Sequence, residues 1–258
     1  VKFSIITPSY NQAQFIRETI NSVLSQKGNF ELEYIIIDGA SDDGTREILE
    51  EFQEKAFIIS EPDSGQSEAI NKGFRMATGD IVAWLNSDDL YLGNTLQNVY
   101  QYFLRHPEKK WLYGKCHIIN TRGDIVRKWI TGYKNLRQKR FHLRKLLREN
   151  FISQPAVFFR RELLETVGGV DGTLDFTMDY DLWIRMSKIS TPGYLDSYLA
   201  KFRRHNVSKS ETSYTRQFEE QFDVMKKYSN SGYDAIIHSL LNFRTIYTYK
   251  LLNLFKQK

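Results

Sequence analysis

Four short runs rich in aliphatic and β-branched residues, Lys2 to Thr7, Glu33 to Asp38, Ala56 to Ser60 and Asp80 to Leu85, are each followed by a polar turn and then by helical periodicity. Strand and helix in alternation leave few folds open. Right-handed crossovers return each strand parallel to the one before it, so the pattern predicts an α/β protein with a mostly parallel, doubly wound central sheet flanked by helices. The first helix puts Phe15, Ile16, Ile20, Val23 and Leu24 on one face, with Asn11 placed to cap it and Gln14 three residues on. Ligands of such sheets bind beyond the carboxyl ends of the strands. Four loops therefore share one candidate site: TPSYNQ after the first strand, DGASDDGT after the second, EPDSGQS after the third and NSDD after the fourth.

The second half changes character. A hairpin is expected around Thr121 to Asp124, then a basic helix, then the stretches SQPAVFFRRELLETVGGVD and DFTMDYDLWIRM. The run YLDSYLAKFRRH reads as a strand, and a final helical region begins near Thr212. With 258 residues and 41% hydrophobic content the chain can bury one large α/β core, with or without a small appendage. No repeat or low-complexity linker interrupts it. The single cysteine, Cys116, excludes an internal disulfide and a cysteine-cluster metal site, and is expected to be a small buried strand residue in a reducing compartment. No apolar run approaches the roughly 18 to 20 residues of a membrane span, and Val1 to Thr7 followed by a polar loop does not resemble a signal peptide. The expected location is the cytoplasm.

Charge is unevenly placed. Between Asp124 and Glu149 there is no acid, while Arg127, Lys128, Lys134, Arg137, Lys139, Arg140, Arg144, Lys145 and Arg148 fall inside. Ala235 to Lys258 repeats the pattern, with Arg244, Lys250, Lys256 and Lys258 set among aliphatic and aromatic residues. Basic amphipathic segments suit an anionic partner, whether a membrane leaflet, a phosphorylated acceptor or nucleic acid; the plain alternative is a solvated helix face packed on the domain.

Asp38, Asp63, Asp88 and Asp89 converge on one edge of the predicted sheet, in loops where Gly39, Gly44 and Gly65 let a ligand approach the backbone. Clustered carboxylates without basic partners point to a hard divalent cation, Mg2+ or Mn2+, bridging to a diphosphate. Alternatively, Asp88 or Asp89 caps a following helix.

The stretches IITPSYNQAQFIRETINSVLSQ, YIIIDGASDDGT, PDSGQSEAINKGFRMATGDIVAWLNSDDLY and DYDLWIRM resemble, in order from Phe3 to about Ser210, the motifs of family 2 glycosyltransferases with the GT-A fold. The wording PDSGQSEAINKG with LNSDD is similar to the bacterial subgroup that builds O-antigen, capsule and other surface polysaccharides. The resemblance implies a GT-A domain over 1–210, with a nucleotide-sugar half to about 110 and an acceptor half from about 111, and a basic helical region over 211–258.

It also implies site roles. Thr7, Pro8, Tyr10 and Asp38 would hold the base of a nucleotide-sugar, with Asp38 accepting a ring N–H of uracil or thymine. Asp63 and Lys72 would close over the nucleotide, the lysine meeting a phosphate or else standing solvated. The family's Asp-x-Asp motif falls on Asn86, Ser87 and Asp88; its first acid is Asn here, which leaves Asp88 for the cation. His205 stands where relatives bring a C-terminal histidine to the metal or diphosphate, although a lone histidine is as readily structural. An acidic pair precedes YDLW in the family and its second member is the base; here Met178 replaces the first and Asp179 remains, with Asp181 a structural acid.

The implied reaction is a metal-assisted, inverting transfer to a hydroxyl of a saccharide acceptor, lipid-linked in surface polysaccharide synthesis, which needs no covalent nucleophile. A location on the inner face of the plasma membrane would follow. A sugar nucleotidyltransferase would want a glycine-rich loop after the first strand, and TPSYNQ has no glycine. A non-catalytic nucleotide or nucleic-acid binder would have no use for Asp179 beside a donor pocket, so no nucleic-acid partner is expected.

Overall fold

The computed structural model describes residues 1–205 and 214–255. Eight helices and nine strands run up to residue 205: β1 (Lys2–Ser9), α1 (Ile16–Leu24), β2 (Glu31–Asp38), α2 (Thr45–Glu50), β3 (Phe57–Ser60), α3 (Gln66–Met76), β4 (Ile81–Trp84), β5 (Leu90–Tyr91), α4 (Thr95–Arg105), β6 (Trp111–Ile119), β7 (Ile125–Val126), α5 (Lys128–Gln138), α6 (Leu143–Arg148), β8 (Val157–Arg160), α7 (Arg161–Val167), α8 (Met178–Ile189) and β9 (Gly193–Arg203). A 3-10 turn, Gln154–Ala156, leads into β8, and α9 (Tyr214–Tyr228) and α10 (Gly232–Phe255) complete the described chain.

The sheet runs β3-β2-β1-β4-β8-β6-β9-β5, with β7 paired to β6. Its first four strands are parallel, as the alternating pattern predicts. Beyond β4 the pairings turn antiparallel at β8, between β8 and β6, and at β5, while β6 and β9 are parallel. The expected hairpin closes over Asn120 to Asp124, and Cys116 is buried in β6.

Alternate residues of each central strand feed opposite layers, because helices cover both faces. Ile6, Ile35 and Ile37 join Ile70 and Phe74 of α3 and most of α8 in one layer. Phe3, Ile5, Tyr34 and Ile36 join α1 and α4 in the other. In the first layer α3 approaches β1 so closely that a Cβ on Gly73 would lie 2.4 Å from Ile6 Cγ2. Trp183 of α8 is sandwiched between Trp84 (centroids 5.4 Å) and Trp111 (5.8 Å), which fastens α8 across β4 and β6.

One expected cap fails. Asn11 has a positive φ of 52° and exchanges two hydrogen bonds with Asp42, 2.9 and 3.0 Å, so it ties the first loop to the second. The turn entering α1 is closed by the Gln12 carbonyl, which accepts from the N–H groups of Phe15 and Ile16.

Candidate active site

The carboxyl ends of three strands are flush: Ser9 pairs with Asp38, and Asp38 with Ser60. Asp38 is fully buried and accepts from Ser41 N (3.0 Å), Ser41 Oγ (2.5 Å) and Ser60 Oγ (2.7 Å). Thr7 is also fully buried, its hydroxyl 3.0 Å from that of Tyr34. Both side chains thus tie the strand ends to the loops in which the sequence places a nucleoside site. Pro8 is buried beside them, while Tyr10 stands 62% exposed at the lip.

Asp63 lies directly over Gly39, where an added Cβ would sit 3.0 Å from its Oδ2, and it accepts the Gly65 N–H at 2.9 Å. Partial burial, with Glu68 and Asp38 nearby, raises its carboxyl above the usual range. Lys72 is ion-paired to the exposed Glu61, a contact that costs little to exchange for a phosphate.

The NSDD turn leads into β5, and α4 begins only at Thr95 behind Asn94. Neither Asp88 nor Asp89 therefore caps a helix. Asp89 is fully buried, accepts the Arg203 N–H at 2.8 Å, and burial beside Asp88 holds its carboxyl well above the ordinary range. Asp88 is half-buried, with Oδ2 2.9 Å from His205 Nε2. Arg203 supports this arrangement from below: Nε donates to the Asp88 carbonyl (2.8 Å), the guanidinium stacks over Phe15 (4.9 Å), and Glu18 pairs with it at 2.5 Å. His205 rests on the same Phe15 ring at 5.0 Å. Ser87 is buried, and its carbonyl, like that of Asp89, accepts from Thr19 Oγ1 at 2.9 Å.

Asn86 joins this turn to the rest of the cleft. Its Oδ1 accepts from Gln66 at the start of α3 (2.9 Å), and its amide donates to Gln154 (3.3 Å), which in turn donates to the Trp84 carbonyl (2.7 Å). The hydroxyl of Ser67, next to Gln66, touches Met178 Sδ at 3.2 Å. The start of α8, and with it Asp179, is thereby bound to the start of α3.

Asp179 is half-buried, with Oδ1 accepting the Tyr180 N–H at 2.7 Å. Burial pushes its carboxyl up to about 6, against the opposing pull of that N–H, of the Lys134 charge and of a hydrogen bond from Asn150. Asp181 is a structural acid, as expected: it is fully buried and held by Arg185 (2.6 Å) and the Tyr228 hydroxyl (2.6 Å). The loop entering α8 is closed from α9, where Glu220 accepts from the N–H groups of Asp175, Phe176 and Thr177 and from Thr177 Oγ1, at 2.6 to 3.0 Å. Gln66, Asn150, Gln154, Arg203 and Glu220 were not singled out from the sequence. Lys134 was read only as one charge in a basic run.

Among the described residues no cluster of three or more His, Cys, Asp or Glu side chains is placed to hold a metal ion. Asp88 and His205 supply two adjoining donors. One carboxylate, with substrate phosphate and water in the remaining positions, is a common protein share of a Mg2+ or Mn2+ site, whereas an imidazole is the softer donor of the two.

A half-parallel, half-mixed sheet with this loop cluster at its carboxyl edge defines a GT-A glycosyltransferase domain. The chain belongs to Glycosyl transferase family 2, whose model matches residues 4–168. It is 27% identical over 253 residues to an uncharacterized glycosyltransferase of Mycobacterium tuberculosis (strain ATCC 25618 / H37Rv), covering 95% of this chain and 92% of that one. A PGL/p-HBAD biosynthesis glycosyltransferase of Mycobacterium bovis is 30% identical, over 76% of this chain and 73% of that one. Against the Rickettsia conorii relative, 28% identical, the match takes in 81% of this chain but only 35% of the longer protein. Two solved structures share the fold at 19% identity. S. aureus TarS 1-349 with UDP-GlcNAc has a TM-score of 0.68, covering 92% of this chain and 69% of that one. The mannosyltransferase PcManGT from Pyrobaculum calidifontis, with GDP-Man and Mn2+, has a TM-score of 0.69, covering 93% and 69%.

Proposed function

We propose that this chain transfers a sugar from a nucleoside-diphosphate sugar to a hydroxyl of a saccharide acceptor, with inversion at the anomeric carbon. The observation that supports the reading is the junction of α3, the NSDD turn and α8, made by Gln66 with Asn86 and Ser67 with Met178, next to which burial pushes the Asp179 carboxyl up to about 6. A carboxylate of that basicity is matched to removing a hydroxyl proton near neutral pH. No side chain is needed as a nucleophile if the acceptor displaces the nucleoside diphosphate directly.

The donor we favour carries uracil or thymine. Asp38 at the end of β2 would accept the ring N–H, with Asp63 beside Gly39 closing over the nucleotide. Tyr10 offers a ring at the lip, Asn86 reaches the ribose side, and Lys72 leaves Glu61 for a phosphate. Asp88 and His205 would hold Mn2+ or Mg2+, which would neutralise charge on the departing diphosphate. The acceptor is proposed to be a lipid-linked saccharide of surface polysaccharide synthesis, with the protein peripheral on the cytoplasmic leaflet.

Thermal-shift measurement against UDP-, dTDP- and GDP-sugars, with and without Mn2+, tests the donor half directly. Stabilisation by a uridine or thymidine sugar, dependent on Mn2+, is expected. No shift with any of these nucleotide-sugars, or a shift with guanosine sugars alone, overturns the donor assignment.

A further inference from the structure

From the structure we infer that the outward face of α10, together with the adjoining edge of α5, docks on an anionic lipid surface. The inference deepens the proposal of a membrane-held acceptor by naming the surface involved. Binding of vesicles needs neither donor nor acceptor, so its failure is separable from failure of the transfer reading.

Helix α10 is apolar on more than one side. Its inner side packs on α6 and α9 and buries His238, whose Nδ1 donates to the Leu147 carbonyl at 2.9 Å. Its outer side carries Tyr233, Ile236, Leu240, Phe243 and Tyr247, a 3-4-3-4 spacing that makes one stripe, each residue 57 to 69% exposed. A helix with apolar residues on both sides needs a second apolar surround. No helix among the described residues is long and apolar enough to cross a membrane, which leaves an orientation in the plane of the interface.

The stripe continues onto α5. Tyr133 lies under the Arg244 guanidinium (4.8 Å), and one turn to either side of it on α5 stand Trp129 and Leu136, 56% and 68% exposed. Tyrosine and tryptophan with Leu and Phe is the composition that interfacial regions of a bilayer favour.

Charge decides the occupant. Residues 127–149 and 232–247 contain ten Lys or Arg and two acids, Glu149 and Asp234. Both acids are turned inward: Asp234 pairs with Arg144 and Arg148, and Glu149 with Arg137 and Arg244. Lys128, Lys139 and Arg140 are exposed. The exposed acid nearest in sequence is Asp124, in the hairpin before α5, and Glu219 and Asp223 are exposed on α9. A second copy docking by the same face would set two basic rims against each other, whereas a leaflet rich in anionic lipid complements both the rim and the stripe. Lys134, within electrostatic reach of Asp179, also lies on α5, so this helix joins the docking face to the proposed base.

The test uses the full chain and phosphatidylcholine vesicles with or without about one third phosphatidylglycerol. Of the four tryptophans Trp84, Trp111 and Trp183 are buried, so quenching by brominated lipid reads Trp129. Quenching is expected with anionic vesicles, weakening with salt and largely lost with neutral ones. The double substitution Leu240→Glu with Phe243→Glu, at exposed positions, should lower partitioning at least tenfold, about 1.4 kcal/mol, and leave the melting temperature unchanged. Lys139→Glu with Arg140→Glu should lower it through charge alone. Unquenched Trp129 overturns the inference, as does unchanged binding in both double variants. So does a concentration-dependent dimer in solution that the Leu240 and Phe243 substitutions abolish.

Discussion

Asp179 sits where burial and a nearby cation pull its carboxyl in opposite directions, and burial wins. The consequences for pH can be worked out in sign. Above about 6 the group is ionised and able to accept a proton, so transfer should rise with pH through about 6 and then level. Because the folded pKa is raised, its contribution to stability is present below the ordinary carboxylate range and lost as pH rises through 6. Asp179→Asn should therefore melt no lower than the parent at neutral pH, while transfer falls by roughly 10²-fold or more and donor affinity is kept. Full transfer activity in that variant, or a product with retained anomeric configuration by NMR, ends the assignment. Asp88 makes the opposite kind of prediction. Its carboxylate contacts His205, and Asp88→Asn should leave the fold intact and abolish the Mn2+ dependence of nucleoside diphosphate binding. Titration of UDP by calorimetry, with and without Mn2+, reads this; an unchanged dependence moves the metal elsewhere.

Helix α8 delivers Asp179, and it is held at its middle and its start by residues from distant parts of the chain. Trp183 locks its middle between Trp84 and Trp111, and Glu220 closes the loop at its start. Glu220→Ala leaves three N–H groups and a hydroxyl without that acceptor, at a cost of about 1 to 3 kcal/mol. Transfer should fall with donor affinity unchanged, and Glu220→Gln, which keeps an acceptor oxygen, should recover part of it; equal kcat in all three proteins would make Glu220 a stability residue only. The same geometry explains what the sequence let one read. Parallel strands and their loops were legible because hydrophobic runs, turns and helix periodicity are local signals. The Asn11 cap failed because its Oδ1, the atom a cap would use, accepts the Asp42 N–H, and Asp88 and Asp89 precede no helix because β5 is made by pairing with β9, more than 100 residues on. Arg203 and Glu220 carried no local pattern at all. Thr7 and Asp38 were legible as loop-end residues, but only the structure gives their neighbours Tyr34, Ser41 and Ser60.

At the scale of the whole molecule the expected boundary near residue 210 falls outside the described residues, and the helices beyond it are joined to the sheet domain by specific polar contacts. Tyr228 bonds to Asp181, Glu220 to the entry of α8, and Asp234 to Arg144 and Arg148 of α6. Asp181 and Asp234 are buried in these contacts, so α9 and α10 pack on α6 and α8 of the sheet domain. Deleting residues 235–258 to probe membrane binding would also uncover Leu147 and the inner face of α6, mixing loss of a docking surface with loss of packing. Point substitutions on the exposed stripe avoid this. A chain ending at residue 213 should therefore unfold at lower denaturant concentration, and its transfer should fall further than its donor binding. The reason is that the donor loops lie on the parallel half, whereas α8 loses both Glu220 and Tyr228. Urea denaturation followed by tryptophan fluorescence is a suitable measure, because Trp183 reports on α8 and Trp84 and Trp111 on the strands beneath it. A truncated chain with the parent's midpoint and the parent's kcat would mean that α9 and α10 are an independent appendage.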